Sequence, residues 1–451
     1  MRFADSVGLR AFAGAFVLAV VAVLSAGCGG GTTSTTTVTC RDPNVCVADE
    51  VVLQNAPTGP NTTEIVVDSG PSGGFVLGVT NVPYVSVTVC QPGTSQCATI
   101  DHVLLDSGSY GLRVLKSKVA SLGLAPVDVA ADAASGTPAG TAAECYAFVL
   151  GAVWGPLARA DVRIADELAP DISIQLIDDG STKSPSLPAN CQSNAQGGLL
   201  DSVTQLQANG ILGIGMIGVD CGVSCLTSAY PGGYVVYYSC PPSGAACQPA
   251  GLPSSTQVRN PVTAFAVNNN GTMVVMPPLP ELGAKVARGR LVFGIGTQSN
   301  NQLPQSARMY QVQTDPFSAN YLYVGLDVAG RAYPQSFIDT GSNALFFSDP
   351  GISKTCNVSS GGAGGWYCPT STWRQSGTLT DMAGMQGSFD LAVGNADTLF
   401  TIGAAAFSNL GGDAGQGAET FSIGMPFFYG RTVFTSIWQQ RLAENGPWYA
   451  F

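Results

Sequence analysis

Apolar and polar residues alternate with a period of two through much of this 451-residue chain. The segment Asn81–Cys90 (Asn-Val-Pro-Tyr-Val-Ser-Val-Thr-Val-Cys) shows the pattern clearly and predicts a strand with one buried face. Helical periodicity is scarce, and Gly and Pro interrupt the apolar runs throughout. One stretch organises the rest. His102-Val-Leu-Leu-Asp106-Ser-Gly-Ser-Tyr-Gly-Leu-Arg-Val-Leu115 reads as an apolar strand, a tight turn and an apolar return strand. It recurs, altered, as Ser336-Phe-Ile-Asp339-Thr-Gly-Ser-Asn-Ala-Leu-Phe-Phe347. In each copy a glycine, Gly108 or Gly341, stands where a side chain would obstruct close backbone approach. A duplicated lobe with one Asp at a strand end in each half predicts a paired-carboxylate site.

A chain of this length exceeds what one hydrophobic core usually supports, so two lobes are expected. With 45% apolar residues, 56 Gly, 28 Pro and only 11% charged residues, an all-β, loop-rich chain of short strands is predicted. Its net charge of −11, with no basic run, argues against a nucleic-acid partner. A third Asp-Ser/Thr-Gly, at Asp68, runs into Pro71-Ser-Gly-Gly instead of a second strand and reads as an ordinary loop. Gly213-Ile-Gly-Met-Ile-Gly218 leads into a Cys-rich loop, not a helix, which argues against dinucleotide binding. The chain's single His, His102, lies four residues before Asp106 in the same strand, and a packing or hydrogen-bonding role is expected for it.

The N-terminus reads as an export signal over residues 1–27: Arg2 and Arg10 precede an apolar run from Ala11 to Leu24, followed by Ser25-Ala-Gly-Cys28. The small residues before Cys28 resemble a bacterial lipobox, which implies lipidation of Cys28 and anchoring to a membrane. Gly29 after it resembles the outer-membrane sorting pattern. Residues 28–75 are then expected to hold the lipidated Cys, a flexible Gly/Thr tether and a lead-in strand. Of 13 Cys, Cys28 leaves twelve. They fall as Cys40/Cys46, Cys90/Cys97, Cys221/Cys225, Cys240/Cys247 and Cys356/Cys368, with Cys145 and Cys191 remaining, as suits loop staples in an oxidising periplasm. With one His, a metal site is not expected.

A hairpin leading into hydrophobic-hydrophobic-Asp-Ser/Thr-Gly-Ser, with an apolar continuation, resembles the first lobe of pepsin-like aspartic peptidases. Asn209-Gly-Ile-Leu-Gly213-Ile-Gly is similar to that family's hydrophobic-hydrophobic-Gly segment, and Phe421-Ser-Ile-Gly424-Met-Pro-Phe-Phe-Tyr-Gly-Arg-Thr-Val-Phe434 to its second-lobe counterpart. Cys145–Ile164 looks like the flap hairpin and its return strand, while 260–267 and 289–294 resemble two more first-lobe strands. The overall arrangement also resembles an uncharacterised family of bacterial lipoproteins.

The resemblance covers roughly residues 76–451 and implies an all-β, bilobal fold, with lobes at 76–315 and 316–451 and a central cleft. It implies an Asp106/Asp339 dyad that shares one proton and activates a water against a peptide bond, without a cofactor. Ser107 and Thr340 would join the two turns, Ser109 and Ser342 would bond the outer carboxylate oxygens, and Gly108 and Gly341 would turn backbone amides toward the acids. In the flap, formed around Phe148, Gly151 and Trp154, Phe148 falls where the family has a Tyr. Tyr146 or Trp154 takes that place if the register shifts. The expected partner is a peptide or protein substrate, and both halves in one chain imply a monomer. The competing expectation is a surface lipoprotein that binds a peptide or partner in the same cleft without cleaving it.

Overall fold

β-branched and aromatic residues in alternation, broken by Gly and Pro, fold almost wholly as strands in the computed structural model. It describes residues 35–37, 47–71, 79–133, 136–194, 197–228, 235–314, 322–354, 356–357, 365–413, 415, 417–438 and 447–451. The expected signal peptide, Cys28, most of the tether and the Cys40/Cys46 pair lie outside these residues. Among the described residues the α-helices are three short ones, Ala189–Asn194, Val203–Leu206 and Ala396–Thr401. None is long and apolar enough to cross a membrane. Residues from Thr33 to Phe451 form one compact unit.

Within that unit the first lobe is a closed barrel. Pro83–Cys90 pairs with Cys97–Asp106, which pairs with Gly210–Ile214, and that with Tyr110–Leu115. Tyr110–Leu115 pairs in turn with Glu167–Ile177, Glu167–Ile177 with Gly151–Ile164, and Gly151–Ile164 returns to Pro83–Cys90. Closure removes the sheet edges, and the inward residues Val87, Leu105, Leu112, Val162, Ile174 and Leu212 fill the interior. The second lobe is an open half-barrel built on Leu322–Val328, Arg331–Ile338, Leu345–Phe347, Trp373–Thr380, Gln386–Val393 and Thr420–Ile423.

The internal duplication is visible in the strand order. In the first lobe Gly210–Ile214 inserts between the Asp106 strand and its return strand, parallel to one and antiparallel to the other. In the second, Thr420–Ile423 inserts in the same way between Arg331–Ile338 and Leu345–Phe347. The inserted strand passes so close to the turn that a side chain cannot be accommodated. A Cβ on Gly213 would lie 2.6 Å from the backbone of Tyr110, and one on Gly424 would lie 2.1 Å from the carbonyl oxygen of Ala344. This is the steric reason for glycine at positions 213 and 424.

A platform joins the lobes. Ala284–Phe293 pairs with Ala48–Val52, Thr62–Val67 and Gly271–Val275, and Gly271–Val275 pairs with Thr432–Ser436. Thr432–Ser436 pairs with Trp448–Ala450, and that strand with Met309–Gln311. One hydrophobic cluster continues from Leu105 and Leu212 of the barrel to Ile338, Leu345 and Ile423 of the second lobe.

Two expectations need comment. Residues 260–267 do not form a strand: Pro261–Ala264 is a 3-10 turn. The Asn260 side chain caps it by accepting from the Val262 N–H at 3.1 Å, and Pro261 sits at its first position, where its missing donor is not needed. Asp68, at the third Asp-Ser/Thr-Gly, accepts from the Gly70 N–H at 2.8 Å and faces Nε2 of His102 at 3.3 Å. His102 also contacts Asp101 at 2.9 Å and packs edge-on to Tyr84. Among the described residues, five disulfides join Cys90–Cys97, Cys145–Cys191, Cys221–Cys225, Cys240–Cys247 and Cys356–Cys368.

Candidate active site

Each apolar strand that carries an Asp runs into its turn at the boundary between the lobes, so both acids arrive at one place. The glycines report how closely the turns approach. A Cβ on Gly341 would lie 2.6 Å from Oδ1 of Asp106, and one on Gly108 would lie 2.8 Å from Oδ1 of Asp339. Each turn therefore packs against the other's carboxyl group.

Cross-bonds fix this approach. The Ser107 N–H donates to Oγ1 of Thr340 at 3.0 Å, and the Thr340 N–H donates to Oγ of Ser107 at 2.9 Å. Oγ1 of Thr340 donates in turn to the carbonyl of Leu105 at 2.7 Å. Within each turn the acid is held alike. Oδ1 of Asp106 accepts from the Gly108 and Ser109 N–H groups, and Oδ2 from the Ser109 hydroxyl at 2.5 Å. Oδ1 of Asp339 accepts from the Gly341 N–H, and Oδ2 from the Ser342 hydroxyl, both at 2.7 Å. Ser422, on the inserted strand, donates to Ser342 and continues the chain of bonds.

Both acids are largely buried, at 6% and 8% exposure. Burial, reinforced by the charge of Asp106, pushes the Asp339 carboxyl up to about 7. The bonds from Ser342 and Gly341 pull the other way without cancelling it. Two carboxyl groups so close cannot both ionise cheaply, and one proton retained between them is the physical outcome. A pair that holds one proton offers one acid and one base side by side.

The flap candidates separate by strand face. Gly140–Phe148 pairs with Gly151–Ile164, and Glu144, Tyr146 and Phe148 share one side of the hairpin by alternation. Phe148 packs with Tyr146, their ring centroids 5.0 Å apart, against the cluster that contains Tyr84 and Ile211. Trp154 stands opposite Cys145, donates from its indole N–H to the carbonyl of Pro185 at 2.8 Å and packs edge-on to Tyr238. Gly151 lies against the 197–200 segment, where a Cβ would meet the carbonyl oxygen of Gly198 at 2.5 Å. Val149 and Leu150 form the exposed tip.

Sequence reasoning missed two groups. Asn81, buried and left-handed at φ 56°, donates to the carbonyls of Asn343 and Phe407 and accepts from the Phe407 N–H and the Tyr429 hydroxyl. It thereby binds the Asp339 turn from the first lobe. Arg113, Glu144 and Asp220 form a buried charged cluster. Their signal was present: an Arg between Leu112 and Val114, and a Glu between Ala143 and Cys145, are charges set among apolar residues.

A closed barrel and a half-barrel, each with an Asp turn straddled by an inserted Gly strand, define the all-β, bilobal, pepsin-like fold. The chain belongs to the DUF3443 family, described as protein of unknown function, which it matches over residues 57–451. Among solved structures it is similar to an aspartic proteinase from Irpex lacteus, with 15% identity and a TM-score of 0.46 over 86% of this chain and 96% of that one. No curated protein matches it.

Proposed function

We propose that the protein is an aspartic-type endopeptidase, carried on the cell envelope by a lipid on Cys28. The observation that carries the reading is the pair of buried carboxyls, Asp106 and Asp339, each bonded by the hydroxyl of its own turn and joined across the lobes by Ser107 and Thr340. In the singly protonated pair, one carboxylate takes a proton from a water held between the acids. The other carboxyl donates to the carbonyl oxygen of the scissile peptide. The attack gives a tetrahedral diol, and return of the proton to the amine releases both products without a covalent enzyme intermediate.

The retained proton sets the alkaline limit. Because Asp339 is raised to about 7, cleavage should fall as pH rises through that value and the pair becomes doubly ionised. For the envelope, the support is the apolar run ending at Cys28 together with five disulfides, which suit an oxidising compartment. Outer-membrane sorting is proposed from Gly29.

The test is cleavage of a denatured protein by the chain lacking residues 1–28, from acid to neutral pH, beside Asp106→Asn and Asp339→Asn. We expect acid-favoured cleavage that falls at least ~100-fold in either variant, the scale of losing a general acid or base. No cleavage by folded protein at any pH would overturn the reading and favour a cleft that only binds peptides.

A further inference from the structure

A second group of ionisable side chains lies beside the flap, and the proposed chemistry does not use it. Arg113, on the return strand of the first turn, is fully buried. Its Nη2 donates to Oε1 of Glu144 at 2.9 Å and to Oδ1 of Asp220 at 2.8 Å, and its Nη1 donates to the carbonyl of Tyr110 at 2.6 Å. Its guanidinium carbon lies 3.9 Å from the ring centroid of Tyr146, two residues from Glu144 on the same face of the flap strand. Tyr146, itself partly buried, therefore meets a fully buried cation across its ring face.

The charges do not balance if every group is ionised. One guanidinium would face two carboxylates, leaving a buried negative charge, which is costly. The hydrogen bonds distinguish the two acids. Asp220 is served on both oxygens, by Arg113 and by the Tyr237 hydroxyl at 2.6 Å. Oε2 of Glu144 is buried and has no donor, as a carboxyl oxygen carrying its own proton would. Burial, with Asp220 adding to it, raises Glu144 well above the usual carboxylate range. The groups facing Glu144 are Arg113 from the return strand, Asp220 from the loop after the Gly213 strand, Tyr237 from the neighbouring strand and Tyr146 from its own.

The rest of the flap base is braced. Tyr237–Cys240 pairs with it along one edge, Cys145–Cys191 ties it to the 189–194 helix, and Ala152 exchanges backbone bonds with Gly198 and Leu200. Only the tip, Val149 and Leu150, stands free in solvent.

We propose that Arg113, held between Asp220 and Glu144, is a positioning residue that seats Tyr146 and so fixes the flap relative to the Asp106 turn. Its effect on turnover rests on the peptidase reading; the seat itself does not. The cation is placed by the same strand that leaves Asp106, so the flap and the acid share one support.

The test compares Arg113→Lys, Glu144→Gln and Asp220→Asn in the chain lacking residues 1–28. Amide hydrogen exchange is followed over residues 140–160, with residues 386–393 of the second lobe as internal control, alongside cleavage kinetics. Arg113→Lys should speed exchange in the flap at least ~10-fold and leave the control segment unchanged. Where cleavage is measurable, it should lower kcat/KM with the pH midpoints of the dyad retained. Glu144→Gln, which preserves a neutral partner, should keep flap protection within ~2-fold of the parent, whereas Asp220→Asn should lose it. Unchanged exchange in Arg113→Lys, or equal loosening by Glu144→Gln and Asp220→Asn, overturns the proposal. If Arg113→Lys does not fold, the contrast between the two acids still decides. The exchange pattern without cleavage in any variant supports the seat and defeats the peptidase reading instead.

Discussion

Thr340 makes more contacts across the lobe boundary than any other residue of the two turns: its hydroxyl accepts from Ser107 and donates to Leu105, and its N–H reaches Ser107. Thr340→Val keeps the shape and removes the hydroxyl. Two buried backbone groups then lose their partner, which should cost about 2 kcal/mol in denaturant unfolding. Ser107→Ala should cost less, because one described bond to its hydroxyl is lost. Asp339 supplies a pH dependence of opposite sign to that of a salt-bridged acid. Its folded value of about 7 lies above the ordinary 3.8, so the folded state holds the proton longer than the unfolded chain does. Its stabilising contribution is complete below ~4 and is lost as pH rises toward ~7. Asp339→Asn should flatten that part of the stability profile, a difference on the order of a few kcal/mol at neutral pH, measured by denaturant titration. The Asp, Ser, Thr and Gly of both turns were legible because a repeated motif is visible as such. Arg113 and Glu144 were legible only as anomalies, since a charge within an apolar strand says that a partner exists without saying where. Asp220, in a Cys-rich loop, gave no signal.

At the scale of elements, the inserted Gly strands decide whether the turns form. Gly213→Ala would place a Cβ 2.6 Å from the Tyr110 backbone, within the barrel wall that carries Asp106. We expect little or no folded protein on size exclusion, since the obstruction is main chain and cannot rotate away. The hairpins, the Asp strands and both Gly strands were legible because alternation and turn residues agree there. Residues 260–267 were not. An apolar run of that length suits a strand or a turn equally, and the choice fell to Asn260 and Pro261, whose capping preference is local and strong. The flap was legible as a hairpin but not in its faces: a slip of one residue exchanges every side chain between sides, and sequence alone did not fix which of Tyr146, Phe148 and Trp154 turns toward Arg113.

For the whole molecule, the platform is the feature that composition could not foretell. Its strands come from both extremes of the described chain, as Ala48–Val52 and Thr432–Ser436 enter the same sheet as Gly271–Val275 and Ala284–Phe293. Parallel and long-range pairings carry no short-range signature. Removal of residues 432–451 should leave Gly271–Val275 with a bare edge. The shortened chain should aggregate, and light scattering after refolding would register it.

The order in which a growing chain emerges gives this arrangement a further meaning. The barrel strands and the Asp106 turn are complete by Ile214, yet the hydroxyl that bonds Leu105 belongs to Thr340, and the strand that seals Gly271–Val275 arrives only at Thr432. A nascent polypeptide can therefore close its first barrel long before its two acids meet. The two acids can meet only once Asp339 has emerged, three quarters of the way along the chain.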